Sequence, residues 1–433
     1  MIRRPPRSTP SNSSAASDVY KRQSEKEIIM STSLMYHGFG LVGYKYLKTE
    51  YKKGCIYFHI QKDFSKLECP DCGSSNVIRR GTKMRTFKTV PIGKKSVFLV
   101  VKIQRVECLD CGCIKQEKLN FADPKKTYTR QFEHFVLELS KLMTIKDVAE
   151  HLAISWDTVK DIQQKYLKKH FSKPKLSKLK LVAIDEISIG KKPKYLTIVL
   201  DLKSGAVVFV GNGKGADSLT PFWKRLKHSR AQIEAVGIDM SPAYIQAVRT
   251  NLPNAIIVFD HFHVIKYFND KLSELRRKLY NETKNYLHAQ ILKGTRWLLL
   301  KNPENLDQGR NEREHLEEAL RINKPLATAY YLKEDLRQLW KQESKEVAET
   351  FLENWIDKAR SSGINMLIKF SNTLSAHRSG ILAYYDYPIS TGPLEGTNNK
   401  IKTMQRQAYG YRDKEFFKLK IFTLHKKKYA LIG

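Results

Sequence analysis

From Leu179 onward the chain spells out a fixed order of short apolar runs, and that order limits the folds open to it. LVAIDEIS, YLTIVLD and AVVFVG read as three successive strands, and DSLTPFWKRL as a helix. AQIEAVGID reads as a fourth strand, PAYIQAVRT as a helix and NAIIVFD as a fifth strand. The first and fourth strands reach acids, Asp185 and Asp239, at the ends of their apolar stretches. A third acid, Glu395 in STGPLEGTNNKIK, opens a helix far downstream. Between the second and third acids lies a helical block, Val264 to Tyr385, rich in Leu, Lys, Glu and Trp.

Each acid has an ordinary reading. Asp185 can be a turn residue, Asp239 can cap the helix that begins at Pro242, and Glu395 can be a first-turn acid. Their order is what carries information. A strand with Asp, two further strands, a helix, a strand with Asp and a late helix with Glu is the order of an RNase H-like α/β core. There the first strand is central, the fourth lies beside it, and the acids converge at the end of the sheet. Three carboxylates so placed can hold two Mg²⁺ (or Mn²⁺) ions roughly 3.5–4 Å apart around a scissile phosphate, because hard oxygens suit hard cations. Asp185 is expected to bridge the ions, with Asp239 and Glu395 each serving one. One ion would acidify the attacking water or 3′-hydroxyl, and the other would stabilise the leaving oxygen. Glu186 is an alternative ligand beside Asp185. Asp260 and His263 form a DxxH pair in FDHFHV that can orient the strand or a water; the ordinary reading is a capping Asp and a packed His. A phosphodiesterase-like set of Asp239, Asp260, His261 and His263 is a weaker competitor.

Upstream stand two matched knuckles, Cys69-Pro-Asp-Cys72-Gly73 and Cys108-Leu-Asp-Cys111-Gly112. Thirty-five residues separate Cys72 from Cys108, and the knuckles punctuate a region, Leu41 to Phe121, of short β-rich runs of which CIYFHI and SVFLVVKIQRVEC are the clearest strands. Two CxxC pairs, each followed by a Gly that permits the turn, predict one structural Zn²⁺ in a Cys₄ site. A redox dithiol or unligated cysteines are the alternatives. Cys55 and Cys113 are read as packing residues. Arg79, Arg80, Lys83 and Arg85 lie between the knuckles on a predicted hairpin, within reach of phosphates.

MTIKDVAEHLAISWDTVKDIQQKYL reads as a helix-turn-helix. Thr144 and Asp147 make a capping pair, and Val148, Leu152 and Ile154 an apolar face. Ser155 caps the second helix, whose buried stripe is Val159, Ile162 and Tyr166. Its outer face carries Trp156, Asp157, Thr158, Lys160 and Lys165, and Trp156, Thr158 and Lys160 are the candidate groove contacts. An ordinary helical hairpin gives a similar pattern. The charge favours DNA: 77 Lys+Arg face 44 Asp+Glu, a formal +33, which points to a polyanionic partner. No run of 18 uncharged apolar residues offers a membrane span. Paired cysteines in so basic a chain fit a reducing cytosol, close to the nucleoid. Basic residues after Glu395 continue the theme: Asn398, Lys400, Lys402 and Arg406 are expected to meet DNA, with Arg412 and a terminal KKK beyond.

Softer signals are mostly structural. GNGKGADS (Gly211 to Ser218) fails the phosphate-loop template and reads as a turn. Trp297 can stack on a displaced base, although such a Trp is ordinarily core. The opening IRRPPRSTPSNSSAASDVYKRQ, Ile2 to Gln23, resembles translated sequencing-adapter read-through. It is expected to be disordered, with the natural start at Met30 or Met35. Without its five Lys/Arg and one Asp the charge is still roughly +29.

In combination, CPDCG…CLDCG, the helix-turn-helix, IDE, GIDMSPAY, FDHFHV and GPLEGTNNKIK resemble the transposases of bacterial insertion sequences of the ISL-three group, from Met35 to the end. The resemblance implies a DDE catalytic triad of Asp185, Asp239 and Glu395 in an RNase H-like core carrying a helical insertion domain. It implies binding to terminal inverted repeats, metal-dependent cleavage and strand transfer, double-stranded DNA as partner, and a homo-oligomer that joins two ends. The expected layout is a leader (1–29), a zinc-binding β-rich module (30–126) and a helix-turn-helix (127–172). The catalytic core (178–265), the insertion (266–386) and the last core helices (387–433) follow. Competing readings are a transposase-derived DNA-binding regulator without catalysis and an RNase H-type nuclease.

Overall fold

The structure is a computed structural model and describes residues 34–62, 67–190, 194–390 and 392–424. The adapter-like opening and the terminal KKK lie outside the described residues. The chain forms two compact units, Met1–Gln163 and Gln164–Gly433. No described helix is long and apolar enough to cross a membrane.

The first unit begins with a short helix α1 (Leu34–Phe39) and strands β1 (Tyr44–Lys52), β2 (Cys55–Lys62), β3 (Val77–Ile92), β4 (Lys95–Cys108) and β5 (Ile114–Gln116). The sheet order is β1-β2-β4-β3, with β5 on β4. Strands β3 and β4 form the hairpin expected between the knuckles. Its register slips between Arg79 and Thr82, where Gly81 has φ +96°, a backbone that an L side chain resists. Alternation along β2 and β4 sends Ile56, Phe58, Ile60, Leu99, Val101 and Ile103 to one core. Helices α2 (Arg130–Leu139), α3 (Ile145–Leu152) and α4 (Trp156–Phe171) follow. Phe132, Val136, Val148, Leu152, Val159 and Ile162 form their shared core. The division between the two units falls inside α4.

The second unit is built on β6 (Leu181–Ser188), β7 (Tyr195–Asp201), β8 (Ala206–Asn212), β9 (Ala235–Ile238) and β10 (Ile256–Phe259), in the order β10-β9-β6-β7-β8. Pairs β6–β7 and β7–β8 are antiparallel; β6–β9 and β9–β10 are parallel. The first strand is therefore central with the fourth beside it, the RNase H-like arrangement. Helices α5 (Thr220–Lys227) and α6 (Pro242–Asn251) cover one face, where Phe222, Trp223, Tyr244 and Val248 meet Val182, Ile184 and Val208.

Helices α7 (His261–Glu282), α8 (Tyr286–Gly294), α9 (Glu312–Ile322), α10 (Lys324–Arg337), α11 (Lys345–Ser361), α12 (Asn365–Ala376) and α13 (Arg378–Leu382) make up the insertion. Phe268, Trp355 and Phe370 pack edge to face at its centre, and Trp355 Nε1 donates to the Leu332 carbonyl at 2.8 Å. Truncating such a Trp costs about 3–5 kcal/mol. Trp297 is not core: it is 64% exposed under the Arg296 guanidinium, while the adjoining Leu298 and Leu299 are buried. In RWLLLKN it is Leu298 and Leu299, not the indole, that face the core. The insertion returns to the sheet by close approach. A Cβ on Gly380 would lie 2.4 Å from the Phe259 ring, and one on Gly237 would lie 2.8 Å from Ile389. Helices α14 (Gly392–Gln407) and α15 (Lys414–Phe422) end the described chain.

Candidate functional sites

Strand β6 alternates, so Asp185 and Glu186 face opposite sides of the sheet. Asp185 turns to the side of α14. Its Oδ2 accepts from Asn398 Nδ2 at 2.8 Å, and its Oδ1 from the Glu186 backbone N–H at 2.7 Å. Asp239 follows the last residue of β9, and its Oδ1 accepts from the Ser241 N–H at 3.1 Å. Burial raises both carboxyls above the ordinary range; neighbouring N–H groups and the His263 imidazole pull the other way, and Asp239 pushes Asp185 further up. Two desolvated acids of like charge beside one another are costly until a cation arrives.

Glu395 is exposed in the first turn of α14. It stands three residues before Asn398, hence on a neighbouring part of the same helix face. Gln405, further along, donates to the Ile189 carbonyl at 2.6 Å, which fixes that face against the end of β6. The oxygens of Asp185, Asp239 and Glu395 do not form a tight group: among the described residues only the cysteines bring three or more ligand atoms within 4.8 Å of one another. The donor chemistry nevertheless fits a divalent cation. The carboxylates are hard oxygens, and the buried Asn398 Oδ1 beside them has no hydrogen-bond partner among the described residues.

Several expected roles shift. Glu186 holds structure: its Oε1 accepts from Tyr244 Oη at 2.7 Å and from the Gly215 N–H at 3.0 Å. Tyr244 Oη also lies 3.2 Å from Thr197 Oγ1, in a buried network with Ser218. Asn398, expected at DNA, is 8% exposed and engaged with Asp185. Lys400, Lys402 and Arg406 are exposed. Lys402 shares the Asn398 face at i+4, whereas Lys400 at i+2 does not. Asp260 is 1% exposed and pairs with His261 at 3.3 Å. It meets His263 through the backbone, accepting the His263 N–H at 3.1 Å. A hollow of about 500 Å³ opens beside Asp239, lined by His263, Lys266, Tyr267 and His377 among others; the last three were not singled out by the motifs.

In the first unit the four knuckle thiols converge, with Cys69 Sγ 3.7 Å from Cys111 Sγ and Cys72 Sγ 3.5 Å from Cys108 Sγ. A tetrahedral zinc site with Zn–S near 2.3 Å has S–S edges of roughly 3.8 Å, so the spacing fits. Gly73 and Gly112 adopt φ of +78° and +68°, and their N–H groups return to the Cys69 and Cys108 carbonyls. Cys69 is pulled down to about 6, first by backbone hydrogen bonds from Cys72 and Asp71. Arg80 is occupied by Glu107, and Arg85 donates to the Lys126 carbonyl while lying over Phe87.

The helix-turn-helix forms as the caps predict. Thr144 and Asp147 make a reciprocal capping box, and Ala153 turns the chain at φ 49°. Thr158 donates its N–H to Ser155 Oγ at 3.2 Å, and the two hydroxyls lie 2.9 Å apart. Thr158 is thereby part of the cap, while Trp156 is 56% exposed and Lys160 is half-buried. Lys88 of β3, which no motif marked, donates to the Leu152 and Ala153 carbonyls at the end of α3.

Comparison with known proteins agrees with this order of parts. A model of DDE transposases of the ISL3 type, described as transposase, matches residues 182–421. The helix-turn-helix domain of transposase family ISL3 matches 117–167, and the zinc-finger of transposase IS204/IS1001/IS1096/IS1165 matches 66–111. The chain belongs to this transposase family. The transposase is 34% identical over 356 residues to the transposase for insertion sequence element IS1001 of Bordetella parapertussis, covering 82% of this chain and 87% of that one. It is 28% identical over 369 residues to the transposase for insertion sequence element IS1557 of Mycobacterium tuberculosis, covering 79% and 82%. A solved structure, the Drosophila P element transposase strand transfer complex, aligns at 10% identity and TM-score 0.36 over 71% of this chain and 92% of that one. Membership makes the transposase an enzyme that binds DNA and uses divalent metal.

Proposed function

We propose that the transposase binds the terminal inverted repeats of its element, cleaves at their ends and joins the 3′-hydroxyls to target DNA, with Asp185, Asp239 and Glu395 as catalytic ligands. The observation that carries this reading is the pair of half-buried, adjacent carboxylates on β6 and after β9, on the side of the sheet faced by the helix whose first turn holds Glu395. Two Mg²⁺ or Mn²⁺ ions would supply activation of the attacking oxygen and neutralisation of the leaving one. His263 biases the charge of both acids and serves as a supporting residue, and Lys402 offers a cation to phosphate. One Zn²⁺ would hold Cys69, Cys72, Cys108 and Cys111 together, and Trp156 with Lys160 would face the groove. A dimer or larger oligomer would bring two ends together, in the cytoplasm near the nucleoid. The expected layout of modules, 30–126, 127–172, 178–265, 266–386 and 387–433, belongs to the same reading.

The test replaces Asp185, Asp239 or Glu395 by Ala and measures cleavage and end binding separately. Each variant should bind ends as the parent does and cut about 10²–10³-fold more slowly, the scale of losing a group that stabilises transition-state charge. A variant that still cuts at parental rate with Mg²⁺ removes that residue from the triad.

A further inference from the structure

Asn398 is 8% exposed, and its two ends are treated differently. The amide nitrogen donates to Asp185 Oδ2 at 2.8 Å. A carboxylate only accepts, so the amide must present nitrogen, not oxygen, to Asp185. The Oδ1 end is thereby turned elsewhere, and it is buried with no hydrogen-bond partner among the described residues. An unpaired buried carbonyl costs about 1–3 kcal/mol, an arrangement that asks for a donor or a cation. Asp185 is constrained at both oxygens, since Oδ1 takes the Glu186 N–H at 2.7 Å. Each carboxylate oxygen has two lone pairs; one on each is used, and one on each remains. The carboxylate is therefore held in one plane with a single acceptor site open per oxygen.

We infer that Asn398 is a positioning residue of the cation site: its amide N–H locks the Asp185 carboxylate in the orientation in which it would hold a divalent cation. This rests on the reading of Asp185 as a metal ligand. Asn398 acts through Asp185 and touches no reacting atom. Its place in the helix follows from Glu395, because residues i and i+3 on α14 share a face. One turn of helix thus supplies both a carboxylate and the amide that orients a second one.

The test titrates Mn²⁺ into the full-length protein on its end DNA and reads free Mn²⁺ by electron paramagnetic resonance, with DNA alone subtracted. Asn398→Leu keeps the branched shape and removes both polar ends. Partners that orient metal ligands are worth 10–100-fold in metal affinity, so the half-saturating Mn²⁺ should rise by that factor. End binding should stay within twofold. Binding of Mn²⁺ within twofold of the parent overturns the inference. Asn398→Asp covers the case in which the Leu variant does not fold. Its second carboxylate repels Asp185 until a cation arrives, so saturating Mn²⁺ should raise its melting temperature more than the parent's; an equal or smaller rise overturns the inference. Asp185→Ala is the control. If it too binds Mn²⁺ like the parent, the reading of Asp185 fails and the inference falls with it; if only Asp185→Ala loses the ion, the failure is of Asn398 alone.

Discussion

At the scale of single residues, the side chains that matter divide by which side of a strand they leave. Asp185 and Glu186 are adjacent, yet one faces the helix that carries Asn398 and the other ties β6 to Tyr244. A strand's period of two makes this unavoidable, and it makes Glu186 a poor ligand for the ion Asp185 would hold. Tyr244→Phe removes a hydrogen bond to a charged group, worth about 1.5–3 kcal/mol. Urea unfolding should show a loss of that size with unchanged end binding; a change under 0.5 kcal/mol would mean that the Tyr244–Glu186 contact does not stabilise the fold. Trp297 gives the opposite expectation. Exposed, with the Arg296 cation over its ring, it should lose about 0.5–1 kcal/mol on Trp297→Ala, against about 3–5 kcal/mol for a core Trp.

At the scale of elements, the strands and helices were legible because their periods and caps are local. The apolar runs of β6 to β10, the Thr144–Asp147 box and the Ser155 cap need no distant partner to be read. What could not be read were contacts across long separations. Lys88 capping α3 joins residues 64 and 65 apart, and Asn398 reaching Asp185 spans 213. Nothing in GTNNKIK distinguishes an Asn that turns inward from one that meets phosphate. The same blindness hid Gly380, which looks like a helix breaker but is where α13 presses on the Phe259 ring of β10. Gly380→Ala should therefore destabilise by about 1–3 kcal/mol, as overpacking does, although Ala is the better helix former. Chemical denaturation reads this directly, and a stabilised variant would show that the contact yields freely.

At the scale of the whole molecule, two compact units carry separate hydrophobic cores and two different donor chemistries. The thiolates of Cys69, Cys72, Cys108 and Cys111 suit a borderline-soft ion, whereas Asp185 and Asp239 suit a hard one. Structural zinc contributes folding free energy outright, so a zinc-selective chelator should unfold the first unit and leave the second. Hydrogen exchange read by mass spectrometry separates the two. Peptides from 69–112 should lose protection, while peptides from β6 through β10 keep theirs, because their core holds no thiolate ligand. End binding should disappear with the first unit, and added Mg²⁺ should not restore it, since a hard cation binds four thiolates poorly. Loss of protection spread evenly over both units would show instead that the transposase folds as one cooperative body. Retained protection at 69–112 would remove zinc from the account of the knuckles.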